Sequence, residues 1–229
     1  DPTAVPIWTM ADEFTLTDRV VDKDGNAYQE WECWVSGFEI PLARLEVQLT
    51  SGDFEGFDYV AIAGAYLDDI YPTGKVYETT NYYLQYDPSI SKFGDSNAIL
   101  CDNFMTANGT LGDDALVLVG EPEGNQTKID AEETIPAEGK YFGYNIYPGN
   151  VPLFKLCLKV QKEGSAQYYW QYAIIDEYKE GQTTLTQFQP GYIYRITGLE
   201  LNGTNIQVNE EPEEMDYSLV ATVVKAKWE

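Results

Sequence analysis

Apolar and polar side chains alternate with a period of two in several segments of this chain, and this pattern restricts the fold more than any other feature. Successive side chains of a β-strand point to opposite faces, so alternation indicates a strand with one buried face. In PLARLEVQL, residues 41–49, the apolar face would carry Ala43, Leu45, Val47 and Leu49. The polar face would carry Arg44 and Glu46, which we expect to pair with each other or with neighbouring acids, contributing about 0–1 kcal/mol if exposed. We expect Arg44 to be neither a catalytic residue nor a protease site.

The same alternation recurs in QYYWQYAII at 167–175, GYIYRITGLEL at 191–201 and YSLVATVVKAKW at 217–228. Turn signals separate such segments, and DGNAY at 24–28 is typical of a tight hairpin turn. The segment FDYVAIAGAYLDDI at 57–70 has some helix-like spacing, but Gly64 and the β-branched residues favour a strand. Many short strands separated by turns predict an all-β chain of sandwiches with Greek-key-like connections.

The charge of the chain excludes some classes of partner. Lys and Arg number 14 against 38 Asp and Glu, a net charge of −24. Such a surface repels nucleic-acid backbones and anionic lipid headgroups. No run of 18 apolar residues that could span a membrane occurs in the sequence. We interpret the charge as a source of solubility, with the binding of cations or basic partners as the alternative.

The sequence contains no recognisable catalytic or cofactor-binding arrangement. It has no histidine, which nucleophilic triads of the Ser-His-Asp or Cys-His kind require, and no glycine-rich phosphate loop. Adjacent carboxylates such as Asp113 and Asp114 are expected by chance in so acidic a chain. In DKDGN at 22–26 the glycine comes fourth, whereas an EF-hand loop has it sixth. We therefore predict no enzyme activity, no catalytic residues, no metal site and no cofactor.

Three cysteines, Cys33, Cys101 and Cys157, form no C-x-x-C pair. The sequence leaves open whether any two of them form a disulfide. Cys157 is in phase with Lys155 and Lys159 in the alternating segment LFKLCLKV. We interpret it as a structural residue, and a reactive thiol beside two lysines is the alternative.

Several segments, in this order, resemble the fimbrillin family, the subunits of type V pili of Gram-negative oral and gut anaerobes. The longest is PLARLEVQLTSGDFEGFDYVAIAGAYL at 41–67, which is similar to a pair of strands in that family. The others are VPIWTM at 5–10, GKYFGYNIYPGNVPLFKLCLKV at 139–160, LTQFQPGYIYRITGLEL at 185–201 and VATVVKAKWE at 220–229.

The resemblance implies two Greek-key, transthyretin-like β-sandwich domains, residues 1–80 and 81–229, the first of them incomplete. It implies a non-enzymatic pilus subunit at the cell surface, exported and held at the outer membrane through a lipid anchor that is not in this chain. Its partners would be other pilus subunits, joined by donor-strand exchange. Shaft subunits of the family continue past the closing Trp, here Trp228, with a donor strand, so we expect a tip, accessory or anchor subunit.

A second function is left open, that of a stand-alone carbohydrate-binding adhesin. Its exposed aromatic residues would be Trp31, Trp34, or the ladder formed by Tyr168, Trp170 and Tyr172. Aromatic rings of this kind can stack on sugars. A sandwich core or a cross-strand cluster is the more frequent setting for an aromatic ladder. The adhesion target, a host glycan or a protein, is not identifiable from the sequence.

Overall fold

A computed structural model describes residues 11–16, 20–21, 27–28, 31–35, 42–68, 101–106, 110–204 and 218–228. Every regular element within these ranges is a β-strand, which confirms the all-β prediction. The first strands are β1 (Ala11–Leu16), β2 (Val20–Val21), β3 (Ala27–Tyr28), β4 (Trp31–Val35), β5 (Ala43–Ser51), β6 (Phe57–Asp68), β7 (Cys101–Asn103), β8 (Leu116–Val119) and β9 (Thr127–Lys128). The others are β10 (Thr134–Ile135), β11 (Phe142–Ile146), β12 (Gly149–Asn150), β13 (Leu153–Lys162), β14 (Tyr168–Glu180), β15 (Thr183–Leu185), β16 (Gln187–Phe188), β17 (Tyr192–Leu201) and β18 (Ser218–Lys227).

Twelve of these strands form one large sheet in the order β10-β5-β17-β18-β14-β13-β6-β8-β9, with β11, β15 and β7 attached to β5, β14 and β6. The sheet curls so that its two halves face each other across a shared core. Phe142 of β11 lies 6.0 Å from Phe154 of β13, measured between ring centroids. The Tyr144 hydroxyl lies 3.2 Å from the carbonyl oxygen of Ala65 in β6. These contacts join the two halves in the sandwich-type arrangement that the strand pattern predicts.

Strand β5 shows how the alternating pattern builds this core. Its apolar side chains are almost completely buried, namely Ala43, Leu45, Val47 and Leu49. Arg44 and Gln48, on the opposite face, are half-buried. The prediction for this segment is therefore confirmed, and burial of such a row supplies the hydrophobic stabilisation of the strand.

The ambiguous segment at 57–70 forms strand β6, Phe57–Asp68, as predicted. It pairs antiparallel with β13, and Gly64 lies opposite Cys157, beside an irregularity in the register. Strands β2 and β3 also pair antiparallel. The hairpin turn predicted between them, at residues 24–26, lies outside the described residues.

Described strands from both sides of residue 80 belong to one large sheet. Strand β5 pairs with β17, and β6 pairs with β13, so residues 43–68 share one sheet with residues 142–201. Strands β1 and β4 pair in a separate two-stranded sheet, and β2 and β3 in another. The division into domains 1–80 and 81–229 remains a prediction. The described part of the chain contains no helix long and apolar enough to cross a membrane.

Candidate functional site

The aromatic ladder of β14 lies on the outer face of the sheet rather than in the core. Its side chains alternate with Gln171, Ala173 and other residues that are buried on the inner face. Tyr168 is 48% exposed, and Trp170 and Tyr172 are half-buried. The ladder is thus a partly exposed aromatic surface, the arrangement that sugar binding would require and that a core ladder would not provide.

The ladder also forms cross-strand clusters with two neighbouring strands. The ring of Tyr168 meets that of Tyr59 on β6 edge to face, with 5.6 Å between centroids. The Lys159 ammonium lies 4.5 Å from the centre of the Tyr168 ring, within the range of a cation–π contact. Gly120 packs closely against Tyr59, and a Cβ added at Gly120 would lie only 2.6 Å from the Tyr59 ring. Burial, together with the nearby Glu123 and Tyr168, raises the pKa of Tyr59 and keeps its phenol neutral.

A polar cluster occupies the outer face of the other half of the sheet. Glu46 accepts a hydrogen bond from Arg44 Nε at 2.7 Å, which confirms the predicted pair. It also accepts two from Arg195 on β17, at 2.8 Å from Nε and 2.5 Å from Nη2. Arg44 Nη1 donates to Asn145 on β11 at 2.9 Å, and the Arg195 guanidinium lies 4.9 Å from the Tyr141 ring centre. The cluster therefore joins β11, β5 and β17 through two of the chain's three arginines.

The electrostatics of this cluster indicate a structural role. Burial alone would raise the pKa of Glu46, but the hydrogen bonds and charges of Arg44 and Arg195 outweigh it and lower that pKa. A carboxylate held ionised in this way cannot act as a general acid near neutral pH. Arg195 is the partner that the sequence did not reveal, since it lies 149 residues from Glu46 along the chain.

The remaining candidates for chemistry have structural roles in the described residues. Asp113 accepts a hydrogen bond from the Asn125 side chain. No group of three or more His, Cys, Asp or Glu residues that could hold a metal ion occurs within the described ranges. Cys157 is a buried free thiol whose pKa burial raises to about 12, as expected for a structural rather than a reactive cysteine. Trp31 and Trp34 lie on β4, where no side chain is described, so their exposure remains a prediction.

The edges of the large sheet differ in how they are protected. At the β8–β9 edge, the Lys128 ammonium donates to the carbonyl oxygens of Leu118 and Gly120, at 3.3 and 2.7 Å. At the β11 edge, the Tyr144 hydroxyl bonds to the Asp102 carboxylate at 2.7 Å and so ties β11 to the opposite half of the sheet. Lysines and covering contacts of this kind prevent unwanted strand addition.

On one side of β14, part of the strand has no partner among the described residues. Residues 168–171 pair with β13 on one side, and β18 joins the other side of β14 only from Ile174 onward. In the part of the chain that the structure describes, no strand pairs with residues 168–171 on that second side. Such an edge presents backbone N–H and C=O groups that a further strand can bind.

Comparison with known proteins gives only distant similarity. No protein-family model matches the chain, and no curated protein sequence matches it. The chain is similar to a crystal structure of a "Putative cell adhesion protein from Parabacteroides distasonis ATCC 8503", at 15% identity and a TM-score of 0.38, over 92% of this chain and 65% of that one. A "putative cell adhesion protein from Bacteroides eggerthii DSM 20697" matches at 13% identity and 0.40, over 93% and 62%. The chain thus spans less than two thirds of the length of either structure, and the overlap is too low to assign a fold or function from them.

Proposed function

We propose that this chain is a non-enzymatic subunit of a cell-surface fibre of the fimbrial type, which joins its neighbours by donor-strand exchange and contributes to adhesion. The two similar crystal structures are described as cell adhesion proteins, but their similarity is too low to support the proposal. Its main support is the open edge of β14.

The open edge is suited to receive a strand because it lies directly beside the core. Across from residues 168–171, β13 contributes Leu158 and Val160, both completely buried. Tyr169 packs against the same core from β14. A donor strand along this edge would pair with backbone groups that no described strand reaches and would cover the half-buried Tyr169, and such pairing with a sheet edge is the physical basis of strand complementation.

The orientation of β18 indicates how a donor could lie. Strand β18 runs parallel to β14 from Ser218, opposite Ile174. A donor in line with β18, on the same side of β14, would continue this row of strands past Ile174 toward Tyr168. The side chains of the donor would then alternate between the core and the outer aromatic face, so alternation of apolar and polar residues is the sequence feature to expect in a partner.

Thermal unfolding in the presence of strand peptides tests the proposal. The peptides would copy the terminal ten residues of the proteins encoded beside this one, each at about 100 times its dissociation constant. A ligand that binds only the folded form then adds about 2.7 kcal/mol of stability. For a chain of this size the melting temperature should rise by about 5–10 °C.

Scrambled peptides of the same composition provide the control, because they keep the hydrophobicity but lose the alternation. No rise with any terminal-strand peptide, or an equal rise with the scrambled ones, would refute strand complementation at this edge.

A further inference from the structure

We propose that the outer face around Tyr168 and Lys159 is a binding site for a saccharide that carries an anionic substituent. The inference rests on the proposed adhesive role and deepens it by naming the class of ligand. The ring of one sugar would stack on the aromatic surface of β14, and its carboxylate or sulfate would bind the Lys159 ammonium.

The aromatic part of this site is exposed and fixed at the same time. Within the described residues, Tyr168 is the most exposed aromatic side chain, at 48%. Contacts with Tyr59 and Lys159 restrict its ring to one position. A ring that is already ordered loses little conformational entropy when a ligand stacks on it. The same contact area then gives a higher affinity than it would on a mobile ring.

The charge of the site points to an anionic ligand. Lys159 contacts the Tyr168 ring, and no described carboxylate lies within salt-bridge distance of its ammonium. This is unusual in a chain with 38 acidic and 14 basic residues. An ammonium without a counter-ion among the described residues favours a ligand that brings one.

Two neighbouring groups define the size and polarity of the site. Trp170 lies beside Lys159 across the β13–β14 pair and is half-buried, so it extends the aromatic surface by a second ring. Glu123 lies near enough to Tyr59 to help raise the pKa of its phenol. Its carboxylate can accept hydrogen bonds from sugar hydroxyls but repels an anion, so the anionic substituent is expected on the Lys159 side. A ligand of two or three sugar units would cover this surface.

Three related oligosaccharides distinguish binding through the anionic substituent from binding through the sugar ring alone. Isothermal titration of the whole chain would use sialyllactose, which carries a carboxylate, lactose with a single sulfate, and lactose itself. We expect at least one anionic sugar to bind at least about tenfold more tightly than lactose, because a charge-assisted hydrogen bond contributes a gain in affinity of that size. The tighter of the two anionic sugars identifies the substituent. Failure of both to bind, or equal affinity for lactose, would overturn the inference.

Two variants test the residues, and a third provides a matched control. Tyr168→Ala and Lys159→Gln should each lower the affinity for the more tightly bound anionic sugar by about tenfold. Tyr192→Ala removes a similar lysine–tyrosine pair elsewhere, since Lys225 lies 4.1 Å from the Tyr192 ring centre. It should leave the affinity unchanged. Unchanged binding by Tyr168→Ala, or equal losses in all three variants, would contradict the proposed site.

The outcome can be separated from that of the proposed function. Strand addition uses the backbone of β14, so a complementing peptide should still raise the melting temperature of Tyr168→Ala. A variant that loses sugar binding and keeps the peptide effect supports both proposals. Absence of sugar binding with the peptide effect intact overturns only the saccharide site.

Discussion

Replacement of Glu46 by glutamine is the sharpest test of how the described sheet is held together. The change keeps the size of the side chain but removes the charge that lies between Arg44 and Arg195. Glu46 accepts three hydrogen bonds, at 2.7 Å from Arg44 and at 2.8 and 2.5 Å from Arg195. A glutamine oxygen can replace only one of the two carboxylate oxygens, so it keeps either the bond from Arg44 or the two from Arg195, and its amide group would face the other guanidinium. The parallel pairing of β5 with β17 should weaken as a result.

The size of the effect follows from the burial of the three side chains. Hydrogen bonds to charged groups contribute about 1.5–3 kcal/mol each, but they are not additive here. The side chain of Glu46 is only 10% exposed, whereas those of Arg44 and Arg195 are 28% and 43% exposed and can be rehydrated. We therefore expect the free energy of unfolding to fall by about 2–3 kcal/mol, which lowers the melting temperature by about 5–10 °C.

The effect should depend on pH in a defined direction. Because the two arginines lower the pKa of Glu46 in the folded state despite its burial, its contribution is complete above the unfolded value of about 4.3. It is lost as the pH falls toward the folded value. The difference between the wild type and Glu46→Gln should therefore be full at pH 7 and shrink below about pH 4.

Calorimetry or circular dichroism at several pH values measures these differences, and Glu177→Gln is the matched control. Glu177 pairs with Lys179 two residues along its strand, as Glu46 does with Arg44, but both members are exposed. Its loss should lower the melting temperature far less than the loss of Glu46, because an exposed ion pair contributes little to stability. Equal changes in melting temperature for the two variants, or a Glu46→Gln difference that grows below pH 4, would refute the reasoning.

Three further predictions concern single residues. Cys157 should react with a thiol reagent only as the protein unfolds, since burial raises its pKa to about 12, and rapid labelling of the native protein would contradict this. Tyr144→Phe removes the hydroxyl that joins β11 to Asp102, so denaturant titration should show a loss of about 1–2 kcal/mol, and an unchanged midpoint would contradict the contact. Gly120→Ala places a Cβ at a φ of 87° and against Tyr59, so it should cost at least about 1–2 kcal/mol, whereas a neutral effect would place Tyr59 elsewhere.

Local sequence patterns predicted the local part of this structure. The period of two identified β5 as a strand and put Arg44 and Glu46 on the same face, because that relationship depends only on neighbouring residues. The strand at Phe57–Asp68 was predicted on the same basis, from Gly64 and the β-branched residues. The alternation in β14 likewise grouped the aromatic residues on one face.

Long-range pairing accounts for what the sequence could not reveal. Arg195 reaches Glu46 only because β17 runs parallel to β5 in one particular register, which no local pattern specifies. The outward position of the β14 ladder depends on which face of the strand meets the core. The sequence does not indicate that face, because the polar Gln171 is buried on the inner one.

Hydrogen exchange at residues 168–171 tests strand complementation most directly. In the isolated chain, the amides of these residues that point away from β13 should exchange rapidly, because no described strand protects them. When a complementing peptide binds, the same amides should become protected while those of β13 change little. Amides at 168–171 that are already as protected as those of β13 in the isolated chain, or that stay unprotected when the peptide is bound, would contradict the account.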